Sequence, residues 1–265
     1  MTTAQLNMLT KLVFAAQQQT TLRRQTITED EIRERAGIAP PPRDFAAALS
    51  APGLGVIAEL KPRSPSRGWL VDDYRPAELA AAYRAGGASA ISVLTHAAGF
   101  GGSVEDLPVA RAEGLVPVLR KDFIIDDYQL YEARAFGADA VLLIVAALPG
   151  HRLAELLQLT WELGMEALVE VHNAAESDAA IAAGARVIGV NHRDLRDFSI
   201  DMTLSGRVRE HIGPDRLLVA ESGIRGPRDA QRLRTAGADA VLVGELLMRS
   251  DNPATTLKEL ISGAP

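Results

Sequence analysis

"YEARAFGADAVLLIV" (Tyr131–Val145) sets a mixed charged and apolar segment directly against an unbroken run of valine, leucine and isoleucine, with Gly137 at the join. Glycine after a helical pattern is the usual left-handed helix cap, and a continuous aliphatic run suits a strand covered on both faces. The stretch reads as helix, tight turn and buried parallel strand. The join recurs in "AAYRAGGASAISVLT" (81–95), "AIAAGARVIGVN" (180–191) and "RLRTAGADAVLVGE" (232–245). With these joins as a ruler, strands fall near 56–60, 88–95, 116–121, 138–146, 166–171, 186–192, 217–221 and 239–243, with helical patterns in every interval. Unbroken alternation with short loops implies a parallel sheet. Eight such units predict an α/β fold, a closed (β/α)8 TIM barrel. One domain is expected over residues 1–265, with residues 1–50 as a helical N-terminal extension packed on the barrel and broken by the prolines of "APPP".

The rest of the composition narrows the function. The chain has 265 residues, is 47% hydrophobic and carries a net charge of -6, so bulk electrostatics give no reason to expect nucleic acid or an anionic membrane as partner. There is no cysteine, which removes thiolate metal sites and thiol nucleophiles. His96, His151, His172, His192 and His211 lack metal-ligand spacing, so no metal is expected, and each reads as a surface or loop histidine. The N-terminal "MLTKLVFAAQQQTTLRR" lacks a convincing cleavage site, and "AVLLIVAAL" is too short to span a bilayer. A cytoplasmic location is the default, and a monomer is the working expectation. The chain stops soon after the last helical pattern, so no fused partner enzyme is expected.

A barrel of this kind builds its active site at the C-terminal strand ends. The first strand ends in Glu59 and Lys61, the third in Lys121, the fifth in Glu170 and the sixth in Asn191 and Arg193. Side chains alternate along a strand, so Glu59 shares a face with Lys61, Asn191 shares one with Arg193, and Arg120 and Asp122 face outward. One charged residue at a strand end is more often a solvated terminus than a catalyst, but convergence of several at one rim changes that balance. The loops after strands seven and eight supply Ser222, Gly223 and Gly244, the glycines allowing backbone N–H groups to approach a phosphate. Glu245 is awkward there unless it points elsewhere. Trp69 lies in the first loop, over either a ligand or the rim.

"VIAELKPRSPSRG" (56–68), "LRKDFIIDDYQLYEARAFGADAVLLI" (119–144), "ALVEVHN" (167–173), "GVNHRDL" (189–195), "ESGI" (221–224) and "VLVGELLM" (241–248), in this order, resemble the motifs of the indole-3-glycerol phosphate synthase family. The resemblance covers about Phe45 to Pro253 and implies a cofactor-free (β/α)8 enzyme of tryptophan biosynthesis. Such an enzyme closes the indole ring of 1-(2-carboxyphenylamino)-1-deoxyribulose 5-phosphate with loss of carbon dioxide and water. By motif position the resemblance implies that Lys121 is the general acid, its pKa lowered by Lys61. Lys61 attracts the substrate carboxylate and helps expel the hydroxyl, Glu59 charge-balances the lysines and Glu170 is the second acid–base group. Asn191 bonds a sugar hydroxyl, Arg193 supports the carboxylate side, and Ser64, Ser222, Gly223 and Gly244 hold substrate and phosphate. Phe123, Leu242 and Phe100 wall the aromatic ring, and "PRSPSRG" is a loop that closes on ligand. His192 replaces a second asparagine and is expected to point away from Asn191. "LTHAAGFGGS" lacks the acidic residue and bulky pair usual after strand two, leaving that wall in question. The competing readings are a phosphoribosyl isomerase, a Schiff-base aldolase and a non-catalytic barrel.

Overall fold

The structure, a computed structural model, describes residues 8–65, 67–194 and 199–263. Its strands are β1 (Gly55–Leu60), β2 (Ala90–Leu94), β3 (Val118–Lys121), β4 (Ala140–Ile144), β5 (Glu166–Val171), β6 (Val187–Asn191), β7 (Leu217–Glu221) and β8 (Ala240–Val243). Each pairs in parallel with its sequence neighbours, and β8 closes on β1 through Gly55↔Ala240 to Ala58↔Val243. The predicted closed barrel is therefore present. Among the described residues three helices precede it, α1 (Met8–Thr26), α2 (Glu29–Ile38) and α3 (Phe45–Leu49), and the longer helices that follow the strands are α4 (Pro76–Gly86), α5 (Asp106–Gly114), α6 (Asp127–Ala135), α7 (Gly150–Glu162), α8 (Ala174–Ala182), α9 (Leu204–Ile212), α10 (Pro227–Thr235) and α11 (Pro253–Ser262), with single turns at Ala97–Phe100 and Glu245–Met248.

The joins behave as read. Gly137 and Gly237 take φ of 85° and 92°, a region costly for any residue with a Cβ. The two GADA strings also repeat a contact: Asp139 accepts from Val118 N at 2.7 Å and Asp239 from Leu218 N at 2.7 Å, each satisfying an N–H at the start of the strand before it. Arg111 and Arg209 pair with these carboxylates.

Alternation along the strands produces two cores. Ile57, Leu119, Leu142, Leu168, Val187, Val219 and Leu242 fill the barrel interior, with Phe45 and Leu49 of α3 in the same cluster. Val56, Ile91, Val141, Val169, Ile188 and Val241 face the helices. Arg23 of α1 reaches Glu132 of α6 at 2.7 Å. Two local features differ from the sequence reading. The fourth strand ends at Ile144 because Val145–Ala147 winds into a 3-10 turn, although the apolar run continues. The first loop folds back on itself, Arg63–Ser64 pairing antiparallel with Gly68–Trp69.

Arg120 and Asp122 do point out of the barrel, but into a closed pocket rather than solvent. The Arg120 guanidinium donates to Thr95 Oγ1 at 3.1 Å, the Gln129 carbonyl at 2.9 Å and Asp122 at 3.0 Å, and lies 2.8 Å from Glu132. All these side chains are buried. A buried cation is tolerated only with such compensation. The arrangement fixes both neighbours of Lys121, so the lysine itself must face inward.

Candidate active site

At the C-terminal end of the barrel the inward positions change from aliphatic to ionisable. Lys121 Nζ donates to Glu221 Oε2 at 2.9 Å and to Glu170 Oε2 at 3.2 Å. The other oxygen of Glu170 accepts from Asn191 Nδ2 at 3.1 Å. On β1, Lys61 Nζ sits 2.6 Å from Glu59 Oε2. Glu59, Glu170 and Glu221 are buried while both lysines stay partly open to the cleft.

Burial acts to push the Lys121 ammonium down, but the carboxylates of Glu221, Glu170 and Glu59 outweigh it and hold its pKa well above that of an ordinary lysine. This overturns the expectation that Lys61 lowers it. Lys61 is ion-paired to Glu59, whereas Lys121 lies between two carboxylates. The two carboxylates on Lys121 diverge. Burial opposes ionisation of both, yet Glu170 is kept below the usual range by Lys121, His172 and Asn191. Burial raises Glu221 against the pull of Lys121, and with the nearby Glu170 and Glu59 charges brings it up to about 7. Geometry agrees: Glu221 Oε1 is buried without a hydrogen-bond partner, while both oxygens of Glu170 are engaged.

A raised carboxyl pKa has a defined sign in stability. Between the ordinary glutamate value of 4.5 and about 7 the folded state holds the Glu221 proton more tightly than the unfolded chain, so this group costs stability progressively as pH rises through that window. Glu221→Gln cannot titrate. Relative to the parent, its unfolding free energy should improve by about 1–3 kcal/mol between pH 5 and pH 8, measured by urea unfolding at both pH values; an unchanged difference would place the raised pKa elsewhere.

Two glycines make room for the cluster. A Cβ on Gly189 of β6 would collide with the Glu221 carboxylate, and one on Gly244 with the Glu59 carboxylate. Gly189→Ala should therefore displace Glu221 from Lys121 and lower kcat about tenfold or more, at a stability cost of about 1–3 kcal/mol. Steady-state kinetics alongside denaturation test this, and parent-like kcat would show that Glu221 has room to move.

The cluster floors an open cleft with polar groups at its base and apolar side chains along its wall, the make-up of a small-molecule site. Of the site residues named from sequence, Glu59, Lys61, Ser64, Lys121, Phe123, Glu170, Asn191, Arg193, Ser222, Leu242 and Gly244 line it. Gly223 does not; it turns away with φ 82°, and a Cβ there would strike Met202 and Ile200. Opposite the charges stands an apolar wall of Leu94, Phe100 and Phe123. The loop after β2 builds part of it: His96 packs edge-on against Phe123 with centroids 5.3 Å apart and bonds the Leu12 carbonyl of α1 at 3.2 Å. Met8 and Leu12 of α1 also line the cleft. The wall left in question by the sequence is thus present, made by other residues.

At the other end, Ser222 itself holds φ 67°, a conformation non-glycine residues adopt at a cost. His192 supports it, Nδ1–H donating to the Ser222 carbonyl at 3.0 Å while Nε2 accepts from Ser205 Oγ at 2.7 Å. The ring is buried and uncharged, its pKa lowered by desolvation. Glu245 also lines the cleft, but it is paired with Arg67 at 3.3 Å and Arg249 at 3.7 Å, which offset its charge toward an anion. Trp69 is exposed, its ring against Gly101 at the rim rather than in the cleft. Ser66, in the first loop, lies outside the described residues.

Sequence reasoning passed over two residues. Glu221 ends its strand as Lys121 does, and the same end-of-strand logic identifies it. His172, read as a surface or loop histidine, is instead wedged between Glu170 at 3.3 Å and Glu176 at 3.0 Å. Its signal was the two-residue spacing from Glu170 on one strand face and the four-residue spacing to Glu176. Among the described residues no three metal-ligating side chains cluster to hold an ion, and no helix is long and apolar enough to cross a membrane.

Residues 9–260 match the family model described as indole-3-glycerol phosphate synthase. The chain belongs to the indole-3-glycerol phosphate synthase family. It is 64% identical over 253 residues to indole-3-glycerol phosphate synthase 2 of Streptomyces coelicolor, covering 96% of this chain and 98% of that protein. To the indole-3-glycerol phosphate synthase of Saccharopolyspora erythraea it is 52% identical, covering 97% and 96% respectively. Among solved structures, a 3-hexulose-6-phosphate synthase superposes with TM-score 0.64 at 15% identity over 80% of this chain and all of that one. An orotidine 5'-phosphate decarboxylase from Pyrococcus horikoshii superposes with TM-score 0.60 at 16% identity over 78% of this chain and 98% of that one. At such identities these two speak for the barrel alone. Family membership accords with the cleft: an ammonium between carboxylates at its floor, an aromatic wall on one side and a glycine-bearing rim on the other.

Proposed function

We infer that this member of the family is a carboxy-lyase of tryptophan biosynthesis. It converts 1-(2-carboxyphenylamino)-1-deoxyribulose 5-phosphate to indole-3-glycerol phosphate, releasing carbon dioxide and water. The observation that carries the reading is Lys121, kept as an ammonium by Glu170 and Glu221 at the base of a cleft with an apolar wall. A phosphorylated substrate enters with its sugar phosphate at the rim of Ser64, Ser222 and Gly244, backed by the turn at Gly223, and its carboxyphenyl ring against Phe100, Phe123 and Leu242. Lys61 and Arg193 lie where they meet the substrate carboxylate.

The ring carbon bearing the carboxylate attacks the ribulose carbonyl, and Lys121 gives its proton to the oxygen as that oxygen gains charge. The bond to the carboxylate then breaks, its electron pair restoring the aromatic ring as carbon dioxide leaves. In the dehydration, Lys61 donates to the departing hydroxyl and Glu170 removes a proton from the substrate, with Asn191 holding a sugar hydroxyl and Glu59 balancing the lysines. A cytoplasmic, monomeric enzyme is the remaining part of this reading.

Against a Schiff-base aldolase stands the charge state of Lys121, since a nucleophilic amine must be neutral and desolvated and this one is held ionised. The deciding experiment adds the carboxyphenylamino substrate to the parent protein and follows indole fluorescence. Turnover is expected; no turnover, or borohydride trapping of either lysine with a carbonyl substrate, would reject the reading.

A further inference from the structure

The stoichiometry of ring closure poses a transport problem, given the reading above. The substrate brings a carboxylate and leaves neutral carbon dioxide, so each turnover consumes one proton beyond those passed between substrate and side chains. The groups that handle protons are buried: Glu170 and Glu221 show about 2% of their surface, and Lys121 is covered by the substrate when the cleft is filled. A replacement proton needs another way in.

The far side of Glu170 offers one. A second cavity, sharing Asn191 with the first, is lined by His172, Asn173, Glu176, Asp201 and Arg207. His172 forms the partition between the two. Its Nδ1 lies 3.0 Å from Glu176 Oε2, on the cavity side. Its Nε2 is buried, has no hydrogen-bond partner and sits 3.3 Å from Glu170 Oε1. Glu170 continues the line, bonding Lys121 through its other oxygen. The chain Glu176, His172, Glu170, Lys121 thus joins the second cavity to the catalytic ammonium through successive contacts of 3.0, 3.3 and 3.2 Å.

We propose that His172 is a positioning and proton-carrying residue that resupplies the Glu170–Lys121 pair from the second cavity, so that the site recharges without opening the substrate cleft. The imidazolium passes its Nε2 proton to Glu170, which leaves a neutral ring protonated on Nδ1; the bare Nε2 then takes a proton from solvent of the second cavity as the side chain turns toward it and back, and the proton on Glu170 moves to the lysine left neutral by its donation. No bond to carbon is made and no redox partner is needed. Charge around the ring favours this. Glu170 and Glu176 outweigh its burial and raise its pKa to about 10, so it rests as a proton-loaded imidazolium. Across the cavity Asp201 is paired with Arg207 at 2.6 Å, His192 is buried and uncharged, and Asp194 adds a further carboxylate.

The test compares the parent with His172→Ala, His172→Gln and Glu176→Gln. Both histidine variants should lose about tenfold to a thousandfold in kcat with KM within about threefold, and should show a larger solvent deuterium isotope effect. Added imidazole should restore His172→Ala, and Glu176→Gln should shift the alkaline limb of the parent's pH–kcat profile. In the substrate-free parent, nitrogen NMR should find His172 doubly protonated at pH 8, a readout independent of turnover. A parent that turns over substrate while the histidine variants retain its kcat overturns the relay and leaves the enzyme reading standing. Lost kcat with no imidazole rescue and an unchanged isotope effect also overturns it, leaving a scaffold role. An inactive parent rejects the enzyme reading itself.

Discussion

Lys121→Ala should abolish nearly all turnover, lowering kcat by about 10^3-fold or more, equivalent to about 4 kcal/mol of transition-state stabilisation. Two losses combine. The proton donor to the forming alkoxide disappears, and the buried carboxylates of Glu170 and Glu221 face each other without the cation between them. Both carboxyls should then hold their protons more tightly, Glu221 foremost because Glu170 keeps His172 and Asn191, which weakens Glu170 as a base. Lys121→Arg separates these contributions. Arginine restores the charge but does not give up a proton at working pH, so this variant should keep parent-like stability and still turn over at least a hundredfold more slowly. Single-turnover indole fluorescence, with circular dichroism to confirm folding, reads both. Activity within tenfold of the parent in Lys121→Ala would falsify the assignment of the acid.

Arg120→Leu is the largest expected effect on stability. The leucine leaves Asp122 and Glu132 buried with Arg23 as the nearest remaining cation for Glu132, and takes one donor from the Gln129 carbonyl and from the Thr95 hydroxyl, which keeps its bond to Asp122. Removing one partner of a buried ionic group costs about 3–5 kcal/mol, which for a chain of this size lowers the melting temperature on the order of 10 °C. Arg120→Leu combined with Glu132→Gln and Asp122→Asn should recover part of that loss, because no uncompensated charge then remains. Urea unfolding of the single and triple variants measures both. A single-variant loss below about 1 kcal/mol would mean that water reaches the pocket and solvates the carboxylates.

Lys121 and its two neighbours also show where sequence stops. Alternation along β3 sends Lys121 inward and Arg120 and Asp122 outward, and that much is a period of two. Outward on a strand does not by itself mean toward water, because a strand's pattern carries no record of what packs on its far face. α6 and α1 supply Glu132 and Arg23 there, and the triad is buried by helices about ten and a hundred residues away in the chain. The Lys121 pKa follows the same logic, raised by Glu221, which is a hundred positions away in the chain and 2.9 Å away in space.

The joins at Gly87, Gly137, Gly184 and Gly237 and the aliphatic runs behind them are local signals, set by backbone conformation and by burial on both faces. They determined eight strand–helix units, the closed barrel and the rim where charged strand ends must gather. Which charges touch was decided only by tertiary structure. Barrel closure sets Glu170, Asn191 and Glu221 on neighbouring strands around one lysine, Gly189 leaves space for Glu221 and Gly244 for Glu59, and His172 is turned from a loop residue into a partition between two cavities. Those outcomes depend on through-space distances and on the loss of water around each group, neither of which a linear pattern encodes.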